Sequence, residues 1–129
     1  MSSFKGKRIL AIDDEADVVM IIRTALQTEG YEVATATNGP DALEEAKANP
    51  PDLVILDITM PGMDGFEVLR ELKAIDATSQ VPVIMLTGVS ERAKIKDALS
   101  SGVDYYVVKP FDFDDLMQKV EQALSGFDN

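Results

Sequence analysis

Five short apolar runs, each followed by a longer segment with helical periodicity, restrict the fold of this chain more than any other feature. The runs lie at residues 8–12, 31–36, 53–57, 83–86 and 105–108. The helical segments lie at 15–29, from the turn at 38–41 to about 48, and at 66–75, 91–101 and 113–124. Continuous apolar runs are typical of strands buried on both faces. The alternation therefore predicts an α/β fold with a parallel sheet between two layers of helices.

The length of the chain suits one such unit. It has 129 residues, 46% of them hydrophobic, which is enough to bury a single core. We expect one domain over residues 1–129, with its core at about 7–125 and short polar termini. The sequence shows no internal repeat, linker or low-complexity stretch.

Charge and missing residue types exclude several classes of function. The net charge of −11 argues against direct binding to nucleic acid or to an anionic membrane. The chain has no cysteine and no histidine, which excludes disulfides, thiol catalysis, Ser-His-Asp triads and His-ligated metals. A phosphohistidine intermediate therefore cannot form within this chain. Without a signal-peptide pattern or a membrane-length apolar stretch, we expect a cytoplasmic location.

Chemically active side chains close four of the apolar runs. Asp13 and Asp14 follow the first run, Asp57 ends the third, Thr87 follows the fourth and Lys109 follows the fifth. The carboxyl ends of parallel strands share one edge, where open α/β folds place their sites. The pattern predicts that three carboxylates, a hydroxyl and an ammonium meet there. Such a set suits reversible phosphorylation of an aspartate with the help of a hard divalent cation.

The charges of this set explain why a cation is expected. Two carboxylates ~5 Å apart repel each other by about 3 kcal/mol at an effective dielectric constant of ~20. Three carboxylates and one ammonium are neutralised by one divalent cation, and oxygen ligands favour Mg²⁺, with Mn²⁺ or Ca²⁺ as substitutes. A phosphoryl group on Asp57 adds up to about one more negative charge. The Thr87 hydroxyl and the Gly88 N–H are candidates to bind it, and Tyr106 to fill the space that Thr87 leaves.

Together these motifs resemble the receiver domain of two-component response regulators. The matching segments are Asp13-Asp14, Asp57 with the loop at 60–65, Thr87-Gly88, and 102–111. The resemblance runs from about Lys7 to Leu124. It implies a flavodoxin-like, doubly wound (βα)5 sandwich with the strand order 2-1-3-4-5.

The resemblance also implies a role for each site residue. Asp57 would be the phosphoacceptor, with Lys109 and Gly88 binding the phosphoryl group and Thr87 and Tyr106 forming a switch pair. The Lys109–Pro110 bond would be cis. The implied Mg²⁺ ligands are Asp13, Asp14, Asp57 and the main-chain carbonyl of Thr59.

The same resemblance implies partners in other chains. A sensor histidine kinase or a phosphotransfer protein would donate the phosphoryl group. A downstream effector protein or domain would bind the face formed by the fourth helix, the fifth strand and the fifth helix. The chain would be a signalling module that catalyses only its own phosphoryl transfer and self-dephosphorylation. It would be a monomer or a phosphorylation-dependent dimer; its pathway and output, and whether it stands alone or belongs to a larger protein, stay open.

Four alternatives compete with this interpretation. Asp14 could be only a helix cap. An aspartyl-phosphate hydrolase typically needs a second aspartate two residues after the nucleophile, where this chain has Thr59. A flavin-binding module needs a phosphate-cradling loop after the first strand, where this chain is acidic. A degenerate receiver could act only as a protein-interaction module.

The dephosphorylation rate can also be predicted from two positions beside the site. The resemblance implies that Thr59 and Val89 border the path of the hydrolytic water, and neither offers an amide or a carboxylate to orient it. We expect slow self-dephosphorylation, which a phosphorylated lifetime of only seconds would contradict.

Overall fold

The apolar runs form the strands of one sheet in a computed structural model of the protein, which describes residues 6–88, 96, 100 and 103–125. The strands are β1 Arg8–Ile12, β2 Glu32–Ala36, β3 Leu53–Asp57, β4 Val83–Gly88 and β5 Tyr105–Lys109. The helices are α1 Ala16–Thr28, α2 Gly39–Ala48, α3 Gly65–Ala74 and, as the last helix, α4 Phe113–Ser125. Apart from Lys96 and Ser100, the helix predicted at 91–101 lies outside the described residues, so α4 is the helix that the sequence counts as the fifth.

All neighbouring strands are parallel, and their order is β2-β1-β3-β4-β5. The predicted fold class and strand order are confirmed. Ile12 pairs with Leu56, and Gly88 pairs with Lys109. This register brings the carboxyl ends of β1, β3, β4 and β5 to one edge of the sheet, as the sequence pattern predicts.

The two faces of the sheet carry separate apolar clusters. Because side chains alternate along a strand, Val54 and Leu56 of β3 face one cluster while Leu53 and Ile55 face the other. Helices α2 and α3 cover the first face, and α1 and α4 cover the second. This explains why β3 is apolar without interruption up to Asp57.

Local signals set most helix boundaries. Gly30 follows α1 with a φ of 97°, a left-handed conformation that glycine adopts without strain. Asn38 caps α2, its side chain accepting a hydrogen bond from the Asp41 N–H at 2.8 Å. Tyr31, predicted to begin the second strand, instead donates its N–H to the last turn of α1 at Leu26. No helix within the described residues is long and apolar enough to cross a membrane.

The start of α1 differs from the simple cap considered for Asp14. The residue that precedes the helix is Glu15, whose side chain makes no capping hydrogen bond. The carboxylate of Asp13 accepts the N–H of Glu15 at 2.9 Å. The alternative in which Asp14 is only the helix cap is therefore wrong, because the helix begins at Ala16 and Glu15 holds the position before it.

Candidate functional site

Three carboxylates meet where β1 and β3 end. Ligand oxygens of Asp13, Asp14 and Asp57 all lie within 4.8 Å of one another. Asp13 is fully buried, Asp57 is 3% exposed and Asp14 is exposed. β1 and β3 are adjacent in the sheet, so the two buried carboxylates lie close together, with the exposed Asp14 beside them. The structure thus brings together the acidic residues that the strand ends predict.

Lys109, at the end of β5, reaches into this acidic cluster. Its Nζ lies 2.7 Å from Asp13 Oδ2 and 3.5 Å from Asp57 Oδ1. Among the described residues, no donor makes a hydrogen bond of regular geometry to the buried Asp13 Oδ2. The ion pair with Lys109 is therefore what offsets the energetic cost of burying this oxygen. Lys109 therefore contacts both buried carboxylates and offsets one of their negative charges.

Glu15 is a fourth acidic residue of the site, and the sequence prediction missed it. Its carboxylate lies 3.7 Å from the Lys109 Nζ. Since the side chain is largely exposed, its ion pair contributes little to stability. Its position directly after Asp13-Asp14 is the signal that could have identified it.

Burial raises the pKa of the Asp57 carboxyl from 3.8 to about 7. The charge of Asp13 and a hydrogen bond with Asp14 act in the same direction, while Lys109 and the backbone N–H of Thr59 oppose it. Without a cation, a substantial fraction of the Asp57 carboxyl is therefore protonated near neutral pH. This agrees with the repulsion expected from the charge of the set.

The pKa of Lys109 moves above its ordinary value. Burial acts to lower this pKa, but the contact with Asp13 and the charges of Asp57, Asp13 and Glu15 outweigh it. Lys109 therefore stays a cation at any physiological pH. The site retains one fixed positive charge opposite its carboxylates.

A hard divalent cation fits this donor set. In an octahedral Mg²⁺ site with metal–oxygen distances of about 2.1 Å, neighbouring oxygens are ~3 Å apart and opposite ones ~4.2 Å. The oxygens of Asp13, Asp14 and Asp57 all lie within 4.8 Å of one another and are therefore close enough to serve as ligands of one ion. Thr59 is exposed and its N–H bonds the Asp57 carboxylate; the role of its carbonyl as a ligand stays a prediction.

The residues predicted to form the switch lie on β4 and β5. Thr87 is fully buried, and its hydroxyl donates to the Gly88 carbonyl at 3.2 Å. Tyr106 is 38% exposed and pairs with Met85, which lies on the same face of the sheet as Thr87. Both strands run further than predicted, to Gly88 and Lys109, so Thr87 is held inside β4.

Two further predictions concern residues around these strands. The Lys109–Pro110 peptide bond is cis in the structure. Val89, which was expected to border the path of the hydrolytic water, lies outside the described residues.

Known proteins share this chain's sequence and fold. Residues 9–121 match the family described as "Response regulator receiver domain". The chemotaxis protein CheY of Bacillus subtilis (strain 168) is 41% identical over 119 residues, which cover 92% of this chain and 98% of that protein. The probable transcriptional regulator ycf27 of Pyropia yezoensis is 42% identical over 122 residues, which cover 95% of this chain. This chain spans only about half the length of that regulator.

The solved structures extend this similarity to three dimensions. The structure of the Vibrio cholerae chemotaxis protein CheY4 superimposes with a TM-score of 0.87 at 30% identity. The match covers 92% of this chain and 98% of that one. The sequence and structural similarities thus extend over almost the whole chain.

Proposed function

This chain belongs to the family of response regulator receiver domains, and we propose that it accepts a phosphoryl group on Asp57 in a two-component phosphorelay. The observation that carries the proposal is the environment of Asp57. Its carboxylate is almost completely buried, lies next to two other carboxylates, and has the Lys109 ammonium at 3.5 Å. One ammonium would balance the charge of a single structural carboxylate. Here three carboxylates share one ammonium, so the remaining negative charge favours a second cation.

The proposed reaction transfers the phosphoryl group from a phosphohistidine of a kinase or a phosphotransfer protein. An Asp57 carboxylate oxygen attacks the phosphorus atom, and the new P–O bond forms as the P–N bond to the donor imidazole breaks. The leaving imidazole takes up a proton. The attacking carboxyl has to be ionised. Because its pKa is about 7, only a fraction of the protein molecules carries an ionised Asp57 near neutral pH without a cation.

Catalysis of this step is a matter of position and charge. When bound, Mg²⁺ would supply positive charge to the carboxylates and to the transferring phosphoryl oxygens; Asp13, Asp14, Asp57 and the Thr59 carbonyl would hold it. Lys109 would offset part of the negative charge of the phosphoryl group, since its Nζ lies 2.7 Å from Asp13 and 3.5 Å from Asp57. The N–H of Gly88 is proposed as a further donor to the phosphoryl group.

Phosphorylation would then change the surface around β5. The Thr87 hydroxyl would turn from the Gly88 carbonyl to the phosphoryl oxygens, and Tyr106 would move into the space beside it. An effector protein or domain would bind the altered face formed by residues 91–101, β5 and α4. On this proposal the chain is a signalling module and turns over no external substrate.

The proposal can be tested with acetyl phosphate, a small acyl phosphate, as the donor. With Mg²⁺, the intact mass of the wild type should increase by one phosphoryl group, and the increase should vanish in Asp57→Asn and on addition of EDTA. Asp76→Asn, which removes an exposed carboxylate outside the site, is the matched control and should be modified like the wild type. An unmodified wild type, or an Asp57→Asn variant that gains the same mass, would contradict the proposal.

The competing function is a protein-interaction module that takes no phosphoryl group. A pull-down with and without beryllofluoride and Mg²⁺, repeated with Asp57→Asn, separates the two. Partners gained only by the wild type with beryllofluoride support the phosphorylation switch. Partners that bind equally in every condition support the competing function. The cytoplasmic location and the oligomeric state stay predictions.

A further inference from the structure

The first turn of α3 is hydrogen-bonded to Ile58, the residue directly after Asp57. The N–H of Gly65, the first residue of the helix, donates to the Ile58 carbonyl at 2.8 Å. A capping box fixes the helix start: the Asp64 carboxylate accepts the Glu67 N–H at 3.0 Å, and the Glu67 carboxylate accepts the Asp64 N–H at 3.1 Å. The end of β3 and the start of α3 therefore form one hydrogen-bonded unit.

Gly65 allows a backbone approach that no other residue permits. A Cβ atom at this position would lie nearest the Asp57 carbonyl oxygen, 2.8 Å from the Ile58 Cα and 3.0 Å from the Ile58 oxygen. These are main-chain atoms, which cannot rotate away as a side chain can. Any side chain at position 65 therefore forces the helix start and the strand end apart.

Gly62 in the same loop is different. It has a φ of 80°, so a larger residue would be strained, but a Cβ atom there would meet nothing within 4 Å. Substitution of Gly62 strains the loop without pressing on Asp57. The chain thus offers a matched pair of glycines, one in contact with the phosphoacceptor backbone and one free of it.

Displacement at Gly65 would reach the site because the rest of β3 cannot yield. All five residues of β3 are buried, and the strand is paired on both sides. The displacement would therefore fall on the end of the strand, because a Cβ atom at position 65 presses on the Asp57 and Ile58 backbone. This end, from Asp57 to Thr59, carries the Asp57 carboxylate and the Thr59 N–H that bonds it. We propose that Gly65 is a positioning residue that sets the Asp57–Thr59 backbone for cation binding and phosphoryl transfer. This inference rests on the proposed function.

The test compares the Mg²⁺ affinity of Gly65→Ala, Gly62→Ala and wild type by isothermal titration calorimetry. Circular dichroism first establishes that each variant is folded. Residues that orient metal ligands typically change the affinity by about 10–100-fold, and we expect a loss in this range for Gly65→Ala. Gly62→Ala should bind Mg²⁺ nearly as the wild type does. Equal affinities in all three proteins, or equal losses in both variants, would overturn the inference.

A second variant covers the case in which Gly65→Ala does not fold. Glu67→Ala removes one half of the capping box without adding atoms, so it loosens the helix start. It should weaken Mg²⁺ binding in the same direction but less, and unchanged affinity would count against the inference. Acetyl phosphate separates the two proposals. A phosphorylated wild type with unchanged Mg²⁺ affinity in Gly65→Ala refutes only the role of Gly65, whereas an unphosphorylated wild type refutes the proposed function.

Discussion

The strands β3 and β5 both end in the site, but they are built differently. β3 lies at the centre of the sheet, is paired on both sides, and has five buried residues. Among the residues that the structure describes, β5 lies at the edge and pairs only with β4, and it has one buried residue, Val107. The central strand presents Asp57, and the edge strand presents Tyr106 and Lys109.

The contrast between β3 and β5 matches the two requirements of the proposed phosphorylation switch. The group that receives the phosphoryl group needs a fixed position, which a strand packed on both faces provides. The groups that respond to the new charge need freedom to move, which a half-exposed edge strand allows. Lys109 belongs to both regions, because it is on the edge strand but contacts the buried Asp13 and Asp57.

The largest expected effect tests the packing difference directly. Ile55 of β3 is fully buried, and Ile55→Ala should lower the free energy of unfolding by about 2–5 kcal/mol. Val108 of β5 is only half-buried, and Val108→Ala should cost about 1 kcal/mol. Urea denaturation of both variants measures the two losses. Similar losses would mean that the edge strand is held as firmly as the central one.

A smaller effect comes from the charge at the end of β3. Because the pKa of Asp57 rises from 3.8 in the unfolded chain to about 7, the folded state binds more protons between these values. The Asp57 contribution to stability is therefore present below about pH 4 and is lost as the pH rises to about 7. A pKa difference of this size corresponds to roughly 4 kcal/mol as an upper limit.

Asp57→Asn isolates this contribution, because the other carboxylates are common to both proteins. In EDTA, the stability of Asp57→Asn relative to the wild type should increase between pH 4 and pH 7 and then level off. Urea denaturation across this pH range provides the measurement. A stability difference that stays constant with pH would show that the Asp57 carboxyl has an ordinary pKa and that its burial at the end of β3 does not raise it.

The smallest expected effect on stability concerns the edge strand. Tyr106 is more than one third exposed, so Tyr106→Ala should change the free energy of unfolding by about 1 kcal/mol or less. The change in amide hydrogen exchange caused by beryllofluoride and Mg²⁺ should nevertheless shrink around β5. Tyr106→Phe, which keeps the ring, is the control. A full response in Tyr106→Ala would exclude Tyr106 from the switch.

The elements were predictable where local signals were strong. Gly30 and Asn38 mark helix ends because their conformation and capping bonds depend only on nearby residues. The sequence predicted Tyr31 as the first residue of β2. An apolar residue fits equally well in a strand and in the turn after a helix, so its type alone could not separate the two. Its actual bond, to Leu26 of α1, is set by the path of the turn.

The sequence by itself determined the fold class and which side chains close the strands at one edge of the sheet. Parallel strands end at one edge whatever the details of packing, so the side chains that follow Ile12, Leu56, Leu86 and Val108 had to meet there. The tertiary structure alone decided the burial of Asp57, its raised pKa, the 2.7 Å ion pair of Lys109 with Asp13, and the contact of Gly65 with the strand end. These properties depend on distances between segments, some of them far apart in the chain, and a pattern of residue types carries no such distances.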